Sequence, residues 1–456
     1  MQVTETSSEG LKRALSVVLP ATDLKARVDR RIDEMKDRVQ LKGFRKGKVP
    51  PAHLRKVFGR SLMAEVLQEA VEETTKQALE TRNERPAMQP KVDLVDDSKI
   101  DKVIAGESDL AFTMEYEILP KFEVADLAAL QLERLVAEVP GERIEEALTE
   151  IATRNRDYAT VEDRAADDGD RLTISFVGRI DGEAFDGGTA EDVDLVIGEN
   201  RFIPGFEDGL RGGKAGETRM VNVTFPDDYS EESLKGKPAE FETSIKSVAV
   251  AAPISIDDAL AQKLGLESLD QLRGAVRGQI QGEYDRVSRD KLKRQLLDRL
   301  DEAHTFELPP SLVDEEFQGL WNQMTKSLER AGKTLEEEGK TEEGAREEFR
   351  KLAERRVRLG LVIGEIGDTG KIEVTEDELR RALIEQSRQF PGQERMVYEY
   401  YEKTPGAIAQ LRAPIFEEKV VDYILSLAKP VDKSVSVEEL LKPLDDEEPG
   451  GDAASA

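Results

Sequence analysis

The chain has 456 residues, of which 38% are hydrophobic, 35% are charged and 5% are aromatic. At about 150 residues per domain, this length predicts roughly three domains, each with a modest core. There are no cysteines and only two histidines. Disulfides, thiolate nucleophiles and cysteine-bound metals are therefore excluded, and most histidine-based chemistry is disfavoured. We accordingly expect no cofactor and no metal.

The amino terminus is polar and acidic, and no run approaches the ~18 consecutive apolar residues of a membrane span. We therefore expect a soluble cytoplasmic protein without a membrane partner. The net charge of −29 argues against a general nucleic-acid binder such as a DNA-binding protein. Between Arg38 and Arg60, however, there are eight basic residues and no acidic one. A solvated helix face is the usual explanation of such a run, but this run centres on a glycine-flanked loop.

The first segment predicts a small α+β domain. Residues 12–19 indicate a strand, and an apolar stripe from Leu24 to Val39, at spacings of four and three, predicts a helix. Glycines and prolines over 43–51 end that helix, and the prolines are suited to beginning the next one. That second helix carries its own apolar stripe from Leu62 to Leu79. Alternation over 110–118 predicts a half-buried strand.

The middle of the chain changes from a connector to an all-β pattern. Residues 120–140 mix strand and loop signals, and 142–155 indicate a short helix. From Gly169 to Val250, turn signals recur every eight to twelve residues, which is typical of a small antiparallel module. Asp181-Gly182 lies where a type I′ hairpin turn is expected.

The remainder is rich in Glu, Lys, Arg, Gln and Leu and predicts helices. Ser268 to Gln271 and Thr375 to Glu378 fit the capping box, and the first of them begins a long helix ending near Ala303. Pro309-Pro310 begins the next helix, and 332–344 interrupts it. The segment from Pro430 to Ala456 holds eight acidic residues against two basic ones, so we expect it to be disordered.

Three motifs in the β region carry the strongest functional signal. They are DGEAFDGG at 181–188, FIPGFEDGL at 202–210 and FPDDY at 225–229. In order and spacing they resemble the FKBP-type peptidyl-prolyl isomerase domain over residues 169–250. The resemblance implies a half-wrapped antiparallel sheet and one short helix that enclose an aromatic pocket for proline. Phe176 and Phe206 stand where many such domains have tyrosine and tryptophan.

Prolyl isomerisation explains why aromatic residues, rather than a catalytic base, are needed. Amide resonance gives the peptide bond a rotation barrier of ~18–20 kcal/mol, and water favours its polar planar form. An apolar pocket removes that advantage, and donors matched to the twisted amide lower the barrier further. Core packing is the alternative for each ring taken singly. The residues predicted to be catalytic line the pocket, and Phe206 forms its floor: Phe176, Phe185, Ile203, Phe206, Tyr229 and Phe241. Asp186 and the Tyr229 hydroxyl are predicted to be the polar groups that orient the substrate.

The loop GFRKGKVP at 43–50 presents one aromatic residue and three cations beside two glycines. Such a loop suits a surface that combines RNA phosphate with a protein pocket. With the order of the modules, it makes the whole chain resemble the trigger factor family of bacterial ribosome-associated chaperones. The resemblance implies that Phe44, Arg45 and Lys46 contact protein and rRNA of the large ribosomal subunit near the exit of the peptide tunnel.

The resemblance also implies an α+β multidomain fold with an α+β ribosome-binding domain, an FKBP-like β domain and an all-α chaperone domain with arms. The predicted segments are an N-terminal domain (1–116), a connector along the C-terminal domain (117–150), the isomerase domain (151–250), the helical domain (251–432) and an acidic disordered tail (433–456). Apolar residues of the helical domain are candidates for client contact, with helix–helix packing as the alternative for each: Leu320, Trp321, Met324, Leu328, Val357, Leu361, Ile366, Phe390, Met396 and Tyr400.

The function predicted from these features is a ribosome-associated chaperone that shields nascent and unfolded polypeptides and isomerises X-Pro bonds. We expect a monomer on the ribosome, and the sequence leaves open whether free molecules form a homodimer. Two alternatives compete with this prediction. An enzyme with mere spacers around it is disfavoured by the basic loop, and a ribosome-assembly or RNA-associated factor with a degenerate isomerase domain is disfavoured by the acidic remainder.

Overall fold

The structure is a computed structural model that describes residues 2–36, 49–95, 100–337, 339–404 and 406–443. Its contacts divide the chain into two units, which we treat separately. The first unit comprises residues 1–135, 288–434 and 441–456, and the second comprises 136–287 and 435–440. The second unit thus groups the β module with residues 251–287, and the five-segment division of the chain stays a prediction.

The strands of the described residues are β1 (Gln2–Glu9), β2 (Lys12–Leu19), β3 (Lys91–Leu94), β4 (Leu110–Glu117), β5 (Glu133–Val136), β6 (Tyr158–Val161), β7 (Arg171–Ile180), β8 (Glu183–Val196), β9 (Thr218–Thr224), β10 (Pro238–Ala251) and β11 (Val431–Ser434). Their helices are α1 (Ala21–Lys36), α2 (Pro51–Arg82), α3 (Ile100–Ile104), α4 (Gly141–Arg154), α5 (Phe206–Leu210), α6 (Asp258–Lys263), α7 (Leu269–Ala303), α8 (Pro310–Ala331), α9 (Glu342–Gly370), α10 (Glu376–Arg388), α11 (Glu394–Lys403), α12 (Ala407–Ala428) and α13 (Val437–Leu441). This mixture of an N-terminal α+β part, an antiparallel β module and a helical remainder confirms the predicted fold class.

The N-terminal part of the first unit is an antiparallel sheet with helices packed on it. The strand order is β1-β2-β4-β3, and β2 and β4 confirm the two predicted strands. Strand β1 was missed because its sequence is polar and nearly all of it is exposed, so it lacks the alternation that marks a half-buried strand. The predicted stripe of α1 is buried at Leu24, Val28 and Ile32, whereas Val39 lies outside the described residues.

The helix α2 begins as the prolines predict. Pro50 lies just before the first turn with an extended backbone, and Pro51 is the first helical residue. Proline is tolerated at that position because its missing N–H would have no partner inside the helix. The buried face includes Leu62, Val66 and Ala70, and it packs into the same core as β2 and β4.

The connector in the first unit packs along the helices. Leu132 is buried in one core with leucines of α7 and with residues of α9 and α12. The backbone N–H of Ala125 donates to Nε2 of the buried His304, 3.1 Å away. Because Nε2 accepts, Nδ1 carries the proton and donates to the Leu300 carbonyl at 2.7 Å. The ring thus joins the connector to the end of α7 with both nitrogens satisfied.

The described part of the C-terminal tail differs from the prediction of disorder. Strand β11 pairs with β5, and Arg134 of β5 holds the Asp432 carboxylate through two hydrogen bonds of 2.6 and 2.9 Å. The helix α13 follows, and its Leu440 is completely buried. The prediction of disorder relied on the acidic composition of the whole segment, which does not reveal these local features. It was therefore wrong for the residues up to 443. Residues 444–456 lie outside the described chain.

The two predicted capping boxes have different outcomes. At α10 the box is complete, because Thr375 and Glu378 each bind the other's backbone N–H. At α7 the Ser268 hydroxyl accepts from the Gln271 N–H at 3.4 Å, but the Gln271 side chain accepts from Glu267 instead of from Ser268. The second half of that box is therefore shifted by one residue.

Candidate active site

The second unit contains the antiparallel sheet that positions the candidate site. The strand order is β6-β10-β7-β8, and β9 pairs with β10 beside β6. Strands β7 and β8 form a hairpin whose turn residues, Asp181 and Gly182, have φ values of 51° and 85°. Two successive positive φ values define the predicted type I′ turn. The helix α5 packs against β9.

A tight turn brings two of the predicted residues together. The Phe206 N–H donates to the Ile203 carbonyl at 3.0 Å, and Gly205 has a φ of 88°. Proline followed by a residue with positive φ is the signature of a type II turn, which favours glycine at the third position. The turn leads directly into α5, where the Phe206 side chain is only 1% exposed.

Glycine allows two rings to close over the sheet. A Cβ atom on Gly178 would lie 2.6 Å from a ring carbon of Phe241 and 2.9 Å from one of Phe185. Opposite it, the register of β7 and β8 shifts between Val177 and Arg179, so β8 bulges around Phe185. A bulge re-aims the side chains of a strand locally. Phe185 and Phe241 consequently meet edge to face, with centroids 6.0 Å apart.

These elements surround a cavity of about 450 Å³. Phe206 is central to its aromatic walls, with ring centroids 5.3 Å from Phe202, 5.7 Å from Phe176 and 5.2 Å from Phe241. Edge-to-face and offset-stacked pairs at these distances are favourable arrangements of aromatic rings. The lining consists of Phe176, Phe185, Gly187, Arg201, Phe202, Ile203, Pro204, Phe206, Phe225, Pro226, Tyr229 and Phe241.

Six of the seven predicted catalytic residues lie in this lining, and Asp186 is the exception. Asp186 is exposed, whereas its neighbours Phe185 and Gly187 both line the cavity. The Tyr229 hydroxyl is thus left as the predicted orienting group that belongs to the lining.

Sequence reasoning missed Phe202, Phe225 and Arg201 as wall residues. Both phenylalanines are the first residues of recognised motifs, so their position in the motif could have identified them. Phe225 packs against Tyr229 with centroids 4.8 Å apart. An exposed arginine carries no comparable signal, because most arginines lie at the surface.

A buried carboxylate organises the segment before the turn. Glu207 is only 6% exposed, and its Oε2 accepts the backbone N–H groups of Gly198 and Asn200 at 2.8 and 2.9 Å. Its Oε1 accepts those of Arg201 and Phe202 at 2.8 and 3.3 Å. One side chain therefore satisfies four donors and fixes the backbone that forms one wall of the cavity. Hydrogen bonds to a charged acceptor are stronger than neutral ones.

The predicted ribosome-contacting residues Phe44, Arg45 and Lys46 lie outside the described residues. The described chain resumes at Val49, which is 1% exposed and belongs to the core of the N-terminal part. Within the described ranges, no group of three potential metal ligands occurs, and no helix there could span a membrane.

Comparison with known proteins identifies the family. Residues 1–151 match the family described as bacterial trigger factor protein, and 268–426 match the C-terminus of the same family. Residues 162–246, which contain the cavity, match FKBP-type peptidyl-prolyl cis-trans isomerase. A trigger factor of Sinorhizobium fredii is 51% identical over 442 residues, which cover 97% of this chain and 90% of that protein. The chain belongs to the trigger factor family.

Further likenesses agree with membership of this family. A trigger factor of Rhodopseudomonas palustris is 49% identical over 98% of this chain and 99% of that protein. A solved structure of the trigger factor chaperone has a TM-score of 0.58 and 20% identity, and the match covers 93% of this chain and 99% of that one. At that identity the likeness concerns the fold alone. The protein is a ribosome-associated chaperone with an FKBP-type peptidyl-prolyl isomerase domain.

Proposed function

We propose that the aromatic cavity is the place where X-Pro bonds are isomerised. The observation that carries this proposal is the convergence of seven aromatic side chains on one cavity of about 450 Å³, a size that suits a proline ring and its neighbours. The residues proposed as catalytic are Phe176, Phe185, Ile203, Phe206, Tyr229 and Phe241. Asp186 is left out because it does not line the cavity.

The lining suits a reaction without proton transfer. Water stabilises the polar planar amide, and a bond enclosed by phenylalanine rings loses that stabilisation. The twisted amide is less dependent on solvation, so the cavity favours it over the planar ground state. The Tyr229 hydroxyl is suited to donating a hydrogen bond to the substrate backbone, and Phe206 forms the floor under the proline ring. No lining side chain has to act as a general base.

Replacing Tyr229 tests this assignment. In the full-length protein, Tyr229→Ala is expected to slow isomerisation of a short proline peptide about ten-fold or more, because it removes both a wall and a donor. Tyr158→Ala is the matched control, since Tyr158 is also half-buried in the second unit but does not line the cavity. Equal rates for the two variants and the unmodified protein would place the reaction elsewhere.

We also propose that Phe44, Arg45 and Lys46 attach the protein to the large ribosomal subunit near the tunnel exit, through both protein and rRNA. The support is the sequence itself, in which eight cations and no acid occur between Arg38 and Arg60 in a chain of net charge −29. Cations bind phosphate, and an aromatic side chain suits a protein pocket. The acidic remainder limits binding to other anionic surfaces.

Cosedimentation with ribosomes tests the docking proposal. Simultaneous replacement of Phe44, Arg45 and Lys46 by alanine is expected to abolish most of the association at physiological salt. The matched control replaces the exposed Arg412, Tyr423 and Lys429, which removes the same number of aromatic and cationic groups from the helical part. Undiminished association of the first variant would contradict the proposal.

The remaining parts of the proposal concern the client polypeptides, the cellular location and the oligomeric state. Of the ten predicted client-contacting residues, Leu320 and Ile366 are buried, whereas Phe390, Met396 and Tyr400 are 46%, 62% and 49% exposed. We propose that this exposed set contacts nascent and unfolded polypeptides. The protein is proposed to act in the cytoplasm, as a monomer on the ribosome, with the predicted limits of the first four segments (1–116, 117–150, 151–250 and 251–432).

A further inference from the structure

One cation lies in the otherwise aromatic and apolar lining of the cavity. Among the described residues that form this lining, Arg201 is the one whose side chain is charged at neutral pH. It is exposed, and it follows Asn200 in the segment that leads to the Ile203–Phe206 turn. A peptide bound with its proline in the cavity therefore passes close to a guanidinium group.

The backbone of Arg201 is fixed although its side chain is exposed. Its N–H donates to Oε1 of the buried Glu207 at 2.8 Å, and the next N–H, of Phe202, donates to the same oxygen. The Phe202 ring in turn stacks on Phe206. The Arg201 side chain therefore extends from a backbone that is already fixed, so less conformational entropy is lost when its guanidinium binds a partner.

The guanidinium of Arg201 has no ion pair or side-chain hydrogen bond with any other residue of the described ranges. Other arginines of the β module differ in this respect. Arg179 pairs with Glu242 at 3.0 Å, Arg211 with Asp168 at 2.5 Å and Arg219 with Glu217 at 3.0 Å. Arg201 is thus free to bind a group supplied by a substrate.

We propose that Arg201 gives the isomerase site a preference for prolyl peptides that carry a carboxylate within two residues of the proline. The inference rests on the proposed function of the cavity and adds a charge class to its substrates. In a protein of net charge −29, a neighbouring cation offsets the general repulsion of acidic peptides at this place. Charge complementarity of this kind contributes more to specificity than to total affinity.

A charge-reversal experiment on the full-length protein tests the preference. The substrates are three series of short peptides, identical except that Glu, Gln or Lys occupies one position within two residues of the proline. The variants are Arg201→Glu, Arg201→Gln and the control Lys214→Glu. The control makes the same change in net charge at an exposed residue of the β module outside the cavity lining.

For the unmodified protein, kcat/KM is expected to be about two- to five-fold higher for the Glu peptide than for the Lys peptide, as suits one exposed ion pair. Arg201→Gln is expected to remove the preference and Arg201→Glu to reverse it, while Lys214→Glu preserves it. High salt should weaken it. An unmodified protein that turns over all peptides equally, or a preference that survives in Arg201→Glu, overturns the inference alone. Failure to turn over any peptide overturns the proposed function as well.

Discussion

Individual residues of the candidate site differ in how well the sequence predicts them. The aromatic walls are predictable because ordered motifs identify their positions. Glu207 is not, since an acidic residue at the start of a short helix usually lies at the surface. Its role depends on four backbone N–H groups that converge on it only in the folded chain. Asp186 shows the reverse case, in which a position within a motif did not settle the direction of the side chain.

Replacing Glu207 by glutamine tests its role as a positioning residue. The amide nitrogen cannot accept, so N–H groups that bind one carboxylate oxygen lose their acceptor, each at a cost of about 1–3 kcal/mol if it stays buried. We expect kcat/KM for a proline peptide to fall about ten-fold or more, because the wall shifts relative to the floor. Glu199→Gln, at an exposed residue of the same segment, should leave the rate unchanged. Equal rates in both variants would show that the wall does not need this carboxylate.

At the scale of elements, local sequence signals predict helix starts well and contacts between helices poorly. The capping box at α10 is such a local signal. Its Glu378 also receives hydrogen bonds of 2.8 and 2.9 Å from Lys419 of α12, which no local pattern reveals. The hydrogen bond from Lys419, followed by those from Thr375, lowers the pKa of Glu378 to about 2. One side chain thereby caps α10 and joins it to α12.

This arrangement predicts a pH dependence with a definite sign. Since the pKa of Glu378 is lower in the folded chain than its ordinary ~4.3, its contribution to stability is present above pH ~4.3 and is lost as the pH falls toward 2. The measurement is the carboxyl ¹³C shift of Glu378 between pH 7 and pH 3.5, over which the group should stay almost fully ionised.

A variant at Lys419 provides the comparison for that titration. Lys419→Met removes the first cause of the low pKa, so Glu378 should titrate at higher pH than in the unmodified protein. Lys429→Met, at the exposed C-terminal end of α12, should change nothing. A Glu378 titration that is the same in all three proteins would contradict the assignment.

At the scale of the molecule, the order of the modules is predictable from the sequence, but the long-range contacts that complete them are not. Composition and motifs separate an α+β part, a β module and a helical remainder. They do not show that β5 pairs with β11, or that residues 435–440 group with 136–287. Those contacts join residues about 300 positions apart, and the acidic composition of the last segment predicts disorder instead. Long-range pairing is a property of the tertiary structure that no short window of sequence contains.

Two adjacent leucines test whether the last helix is an integral part of the fold. Leu440 is completely buried and Leu441 is 49% exposed. Leu440→Ala should reduce stability by about 2–5 kcal/mol, measured as a lower urea midpoint and faster hydrogen exchange in α13. Leu441→Ala should change stability by about 0.5 kcal/mol or less. Similar small effects of both changes would show that α13 contributes little to the fold.

The pairing of β5 with β11 has a consequence for biosynthesis. During synthesis, Arg134 cannot bind Asp432 until the ribosome has added the 298 residues that lead to it. At translation rates of about 5–20 residues per second, that wait is about 15–60 s. During it, Leu132 lacks first the leucines of α7 and then the residues of α9 and α12 that enclose it in the folded chain. Each growing copy is therefore itself an incomplete polypeptide whose core around Leu132 is closed only near the end of synthesis.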